Sequence, residues 1–199
     1  MEENNRVLLV GRVDGAFEFA YENYGEKFYT AFVETMRSSE VYDRLPIIVS
    51  EKLLERDIDY TGSTVKILGE YRSFNSNRKL CLNVFANTFE VVPDDHMHIN
   101  EIYIEGFICK TPVYRQTPKG RFISELIVAV NRRYGKSDYL PCIAWGRNAG
   151  LASRFEVGTL IRAEGRMQSR PYKKIVGDKE ETKVAYEVSI SWLNVCYGG

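Results

Sequence analysis

The stretch from Ser137 to Lys174 alternates large flat side chains with cations: Tyr139, Trp145, Arg147, Arg162, Arg166, Arg170, Tyr172, Lys173 and Lys174. Rings interleaved with positive charge on extended backbone suit an unpaired nucleic-acid strand, because free bases stack on rings while phosphates seek cations. No pattern of comparable density points to catalysis. The only histidines, His96 and His98, share the segment VPDDHMHIN (Val92 to Asn100) with Asp94 and Asp95. That segment reads as a solvated connector, since nothing in it fixes a ligand geometry. Cys81, Cys109, Cys142 and Cys196 are scattered without CxxC spacing, and are expected to be buried strand residues with free thiols. There is no nucleophile–base pair and no phosphate-cradling glycine loop. The residues therefore describe a binding module, with no catalytic residue, no metal and no cofactor expected.

The elements that must position these rings follow from a duplication. RVLLVGRV from Arg6 is matched 95 positions later by EIYIEGFI from Glu101, which places Gly11 on Gly106. FYTAFVETMR from Phe28 matches FISELIVAVN from Phe122, and DRLPII from Asp43 matches DYLPCI from Asp138. GSTVKILGEYRS from Gly62 matches GTLIRAEGRMQS from Gly158, and KLCLNVFANTFEVV from Lys79 matches KVAYEVSISWLNV from Lys183. Five matches in one order establish an internal repeat.

Each repeat reads as three short apolar strands, a helical segment and two further strands, with turn signals at Tyr24-Gly25 and Pro118-Lys119-Gly120. The helical segments are SEKLLERD from Ser50 and GRNAGLASRF from Gly146. Five strands with a helix between the third and fourth is the order of an OB-fold, a Greek-key barrel. The expected fold is all-β: two tandem OB-folds, over residues 1–93 and 100–199, joined by a linker at 94–99. Pro46 and Pro141 each remove a ladder donor from the third strand, so that strand is expected to be exposed or bulged there.

Net charge is zero, but it is unevenly divided. Residues 1–95 carry 11 Lys and Arg against 17 Asp and Glu, a net of −6, and residues 96–199 carry 16 against 10, a net of +6. The basic half is the one that holds the ring–cation stretch. The N-terminus, MEENNR, is polar and acidic rather than a signal peptide, and no apolar run approaches the ~20 residues of a membrane span. A soluble, cytoplasmic protein with no membrane partner is expected.

The second repeat resembles the bacterial single-stranded DNA-binding protein family. The resemblance runs from Asn100 to about Val195, through NEIYIEGFI, TPVYRQTPKGRFISELIVAVNRRYG, SDYLPCIAWGRNAGLA and VGTLIRAEGRMQSRPY. It implies stacking of single-stranded DNA on Tyr134, Tyr139, Trp145 and Tyr172. Arg115, Arg132, Arg133, Arg147, Arg154, Arg166, Arg170, Lys173 and Lys174 are the candidates for phosphate contact, with Arg132, Arg133 and Arg170 favoured for lying beside the rings.

In the first repeat the matching positions are Glu40, Arg44, Ser50 and Ser76, so the ring platform is expected to be absent there. Its barrel is expected to be structural or to serve oligomerisation. Members with two barrels per chain form dimers, so the resemblance implies a homodimer with four OB-folds and a role in replication, recombination or repair. The chain ends at CYGG without the family's acidic tail. Repair or replication partners, if any, would be met by another route, for which the acidic first barrel is the candidate. The alternatives are a replication-restart or mobile-element interaction protein, and an RNA-binding OB protein.

Overall fold

The computed structural model describes residues 4–76, 79–95, 97–132, 135–176 and 179–196. Among the described residues eleven strands carry about two thirds of the chain. The first half holds β1 (Asn5–Asn23), β2 (Glu26–Met36), β3 (Tyr42–Ser50), β4 (Thr64–Ser76) and β5 (Lys79–Val91). The second half holds β6 (Ile99–Ile108), β7 (Val113–Gln116), β8 (Phe122–Asn131), β9 (Ser137–Trp145), the helix α1 (Gly146–Ala152), β10 (Leu160–Val176) and β11 (Lys179–Val195).

In the first half β1 pairs with β2, β2 with β3, β3 with β5 in parallel, β5 with β4, and β4 with β1, which closes a barrel. The second half repeats the circuit as β6, β8, β9, β11 and β10. The chain is thus two OB-folds in tandem. The short β7 hairpins with β8 where the first half runs the single long β1, bent at two irregular registers between Asp14 and Tyr21.

Alternation explains the closure. Val7, Leu9, Val33, Leu45, Ile47 and Val84 point inward in the first barrel, and Ile104, Val128, Leu140, Ala144, Ile161 and Val188 do so in the second. These side chains join one apolar cluster that spans both halves. Pro46 and Pro141 lie just outside the parallel ladders, which hold Ile47 and Ile48 in one barrel and Cys142 to Ala144 in the other. Each keeps its register in the antiparallel ladder on the other side of the strand, opposite Phe32 and Ile127, so the third strand is half-buried there and has no bulge.

The two helical segments diverge. α1 packs Ala149 and Ala152 fully inside, and the buried Ser124 hydroxyl donates to the Ala149 carbonyl at 2.8 Å. In the first barrel the segment is a 3-10 turn at Glu51–Leu53, capped by Ser50, which accepts from the Lys52 N–H. Phe17, Tyr60 and Phe89, packed edge-to-face, add to Leu53 and Leu54 around the first core. Bulky side chains take the space that small ones leave open to a helix in the second barrel.

The barrels are joined by antiparallel pairing of their equivalent first strands, from Asn5 opposite Ile104 to Val10 opposite Ile99. Asn5 clamps the backbone of Tyr71, accepting from its N–H at 2.9 Å and donating to its carbonyl at 2.8 Å. Asn100 does the same to Met167, at 2.9 and 2.7 Å. The duplication is thus a pseudo-twofold in space, and β1 and β6 each cover what would otherwise be an open sheet edge.

Glycines mark the sharpest crossings. A Cβ on Gly11, Gly69 or Gly165 would sit 2.1–2.2 Å from the backbone carbonyl oxygen of Glu34, Phe85 or Ser189, and one on Gly106 would lie 2.5 Å from that of Ala129. Because the obstacle is backbone, Gly165→Ala is expected to cost about 2 kcal/mol or more, read as a lower midpoint in chemical denaturation.

Of the four thiols only Cys142 is buried; Cys81 is half-buried on β5, and Cys109 and Cys196 are half-buried just past the ends of β6 and β11 rather than within strands. Burial raises the Cys142 thiol pKa well above its ordinary range. His98 packs edge-on to Tyr42 at 6.2 Å, whereas His96 lies outside the described residues. Among the described residues no group of three or more His, Cys, Asp and Glu could hold a metal ion, and no helix is long and apolar enough to cross a membrane.

Candidate nucleic-acid interface

Successive side chains of a strand point to opposite faces. Asp138, Leu140, Cys142 and Ala144 of β9 are buried, which sends Tyr139, Pro141, Ile143 and Trp145 to the outer face. Tyr139 is 48% exposed, whereas Trp145 is half-buried with its indole N–H donating to Ser189 Oγ at 3.1 Å. Six residues of extended strand set the two rings about 20 Å apart. Between them lies a cleft of ≈ 240 Å³ lined by Pro141, Ile143, Ile127, Val113, Arg170 and Glu187. Arg147 follows Trp145 at the start of α1 and is exposed.

The other expected cations have protein partners to varying degrees. Arg115 pairs with Glu125, Arg170 with Glu187 at 3.2 Å, and Lys173 with Glu180 at 2.6 Å, all with at least one partner exposed. The exposed pairs of Arg115 and Lys173 exchange partners at little cost, whereas Glu187 is buried and also accepts from Gln168 at 2.7 Å. Arg162 pairs with Glu105 at 2.6 Å, and Arg154 is exposed beyond α1.

Arg132 and Arg166 differ from the rest. Arg132 was expected at a phosphate, but its Nε and Nη2 both donate to the fully buried Asp138, and Nη2 also donates to the Ser73 carbonyl of β4 at 3.0 Å. Asp138 further accepts from the Ser73 N–H. The pseudo-twofold repeats this clamp: the fully buried Asp43 holds Arg37 and accepts from the Ser169 N–H of β10 at 2.7 Å. The two clamps fasten each barrel's third strand to the other barrel's long hairpin. The carboxylates raise the pKa of both arginines, Arg37 and Arg132. Arg166 is half-buried, its Nε has no partner, and burial together with the nearby Arg37 lowers its pKa. It lies on the face of β10 opposite the fully buried Met167, near Asp43 and Arg37 of the first barrel, a placement that a run of basic residues does not disclose. Arg133 and Tyr134 lie outside the described residues.

Tyr172 is not on the β9 face. It is 39% exposed on the β10–β11 hairpin and lines a second, larger cleft with Lys174, against β2 and β3 of the first barrel. The structure thus brings Tyr139 and Trp145 to one face and places Tyr172 and Lys174 in another cleft.

Several rings escaped sequence reasoning. Tyr114 and Phe122 stack at 5.4 Å with an interplanar angle of 1° on the β7–β8 hairpin, both exposed. They sit diagonally across the turn at Pro118-Lys119-Gly120, a pairing the hairpin register could have signalled. In the first barrel the Arg44 guanidinium lies 3.5 Å over Phe32 and that of Arg72 lies 3.6 Å over Phe85. Matching this repeat position by position to the second could not find these rings, because they occupy other strands.

The profile of the single-strand binding protein family matches residues 99–195. Single-stranded DNA-binding protein A of Bacillus subtilis (strain 168) is 28% identical over 108 residues, which cover 51% of this chain and 63% of its own. This chain spans less than two thirds of the length of these curated relatives. The crystal structure of the wild-type single-stranded DNA binding protein from Thermus aquaticus is similar over 98% of this chain and 94% of its own, with a TM-score of 0.78 at 20% identity, a likeness of fold. The dimeric N-terminal domain of PriB protein from Thermoanaerobacter tencongensis is 49% identical over 46% of this chain and 100% of its own, with a TM-score of 0.43.

Proposed function

From the premise that the chain belongs to the single-strand binding protein family through residues 99–195, we propose that it binds single-stranded DNA with little sequence preference and performs no catalysis. The observation that carries this reading is the pairing of Tyr139 and Trp145 on one outer face, either side of a cleft with arginine at its edge. Bases stack on the rings, and phosphates draw on Arg147, on Arg115 and Lys173 as these release their exposed carboxylate partners, and on Arg170 at the edge of the cleft. Tyr134 and Arg133 are further candidates by their place in the sequence, and Tyr172 and Lys174 offer a separate contact on the β10–β11 hairpin. Duplex is disfavoured because its bases are already stacked.

In this reading residues 100–199 form the basic, strand-binding unit, 94–99 connect, and 1–93 form the acidic unit that supports the assembly. A homodimer presents four barrels, and the protein protects exposed strands in the cytoplasm, at the nucleoid, during replication, recombination or repair.

The test is a titration with oligo-dT that follows tryptophan fluorescence at two salt concentrations, on the chain carrying Trp192→Phe so that Trp145 alone reports. Saturable quenching is expected, with an affinity that falls by a log–log slope of about 0.7 per phosphate contact as salt rises. Salt-independent binding without quenching would end the proposal, and tighter binding of a matched RNA oligomer would redirect it to RNA.

A further inference from the structure

The long β10–β11 hairpin of the second half does not stay on its own barrel. Its Tyr172, Lys174, Lys183 and Tyr186 line one wall of a cleft of ≈ 580 Å³ whose opposite wall is the outer face of β2 and β3, with Phe32, Pro46 and Ile48. Phe74 and Lys79, from the β4–β5 hairpin, complete it. Phe74 is 51% exposed, and the volume falls within the ~300–1,000 Å³ of small-ligand sites.

This face is the pseudo-twofold counterpart of the β9 face, Pro46 and Ile48 standing where the second barrel has Pro141 and Ile143. The two clefts differ in charge. The β9 cleft includes Glu125 and Glu187 among its lining residues, whereas the shared cleft has three lysines and no carboxylate. Lys183 pairs with Glu181 at 3.1 Å, but among the described residues Lys79 and Lys174 have no ion-pair partner. The acidic half of the sequence therefore supports the more cationic of the two clefts, because two of the lysines arrive from the other half.

We propose that this cleft is a second site for single-stranded DNA, shared by both halves, in which Phe74 and Tyr172 receive bases and Lys79 and Lys174 receive phosphates. The inference rests on the function proposed above and adds to it that the first barrel is part of the binding surface. The Asp43 clamp, which fixes Ser169 three residues before Tyr172, holds the hairpin over the first barrel.

The test uses the whole chain in three variants beside wild type: Lys79→Gln with Lys174→Gln, Phe74→Ala, and Tyr139→Ala as the marker for the β9 face. The lysine pair should lower the log–log salt slope of oligo-dT binding by about 1.4, at about 0.7 per phosphate, with little effect on folding. Phe74→Ala should weaken binding roughly tenfold at both salt concentrations. Wild-type slope and affinity in the first two variants, with Tyr139→Ala still weakened, would overturn the shared cleft and leave the β9 face standing. Absence of oligo-dT binding by wild type would instead remove the underlying function, and the cleft with it. Photo-crosslinking of wild type to iodouracil-substituted oligo-dT gives an answer independent of any variant's folding. Adducts on Phe74, Tyr172 or Tyr186 are expected, and adducts confined to Tyr139 and Trp145 would overturn the proposal.

Discussion

Truncating Tyr139 and Trp145 together to alanine should lower oligo-dT affinity at least about 30-fold, because each lost stack is worth about 1–3 kcal/mol. Neither substitution removes a charge, so the loss should be the same factor at low and high salt, and the log–log salt slope should stay at its wild-type value. This separates stacking from phosphate contact within a single set of titrations. Tyr139 is half exposed, and its side chain makes no hydrogen bond or ion pair among the described residues, so its truncation should leave the denaturation midpoint in place. Trp145 also donates to Ser189, and Trp145→Phe, which keeps a ring and loses that bond, should retain most of the affinity. Affinity unchanged in the double variant would remove the β9 face from the binding surface.

The second large effect concerns stability. Asp138→Ala should destabilise the chain by about 3 kcal/mol or more, because it leaves the Arg132 guanidinium and the Ser73 N–H without their buried acceptor. For a chain of this size that corresponds to a thermal midpoint roughly 6–12 °C lower. Asp43→Ala should behave alike through Arg37 and Ser169. Combining Asp138→Ala with Arg132→Met should recover part of the loss, since the residual cost is the unpaired cation rather than the missing attraction. A double variant as unstable as the sum of its parts would show that the clamp does not act as a coupled pair. Loss of Arg132 alone, if it acted on DNA and not on the fold, would lower the salt slope and leave the midpoint untouched; the clamp geometry predicts the reverse.

The different fates of neighbouring residues show how far the sequence could be read. The repeat, the strand order and the outward position of Tyr139 and Trp145 follow from alternation and from matches such as DRLPII with DYLPCI, because both are local properties of the chain. Arg132 and Arg133 look alike in sequence as cations beside a tyrosine. Arg132 turns to Asp138 because β8 and β9 are antiparallel neighbours, with Asn131 opposite Ser137. The shortened helical turn after β3 depended on Tyr60, Phe17 and Phe89 meeting from three separate segments.

The sequence by itself determined that this is a duplicated, all-β chain with a ring-bearing, basic second half, since periodicity, spacing and residue type are fixed by covalent order. Only the tertiary structure decided which cations are consumed by buried carboxylates and which rings share a face. It also decided that the hairpin of the basic half lies across the acidic half. Those outcomes depend on contacts between residues as many as 132 positions apart, such as Arg37 with Ser169, and such contacts exist only once both barrels have closed and β1 has paired with β6.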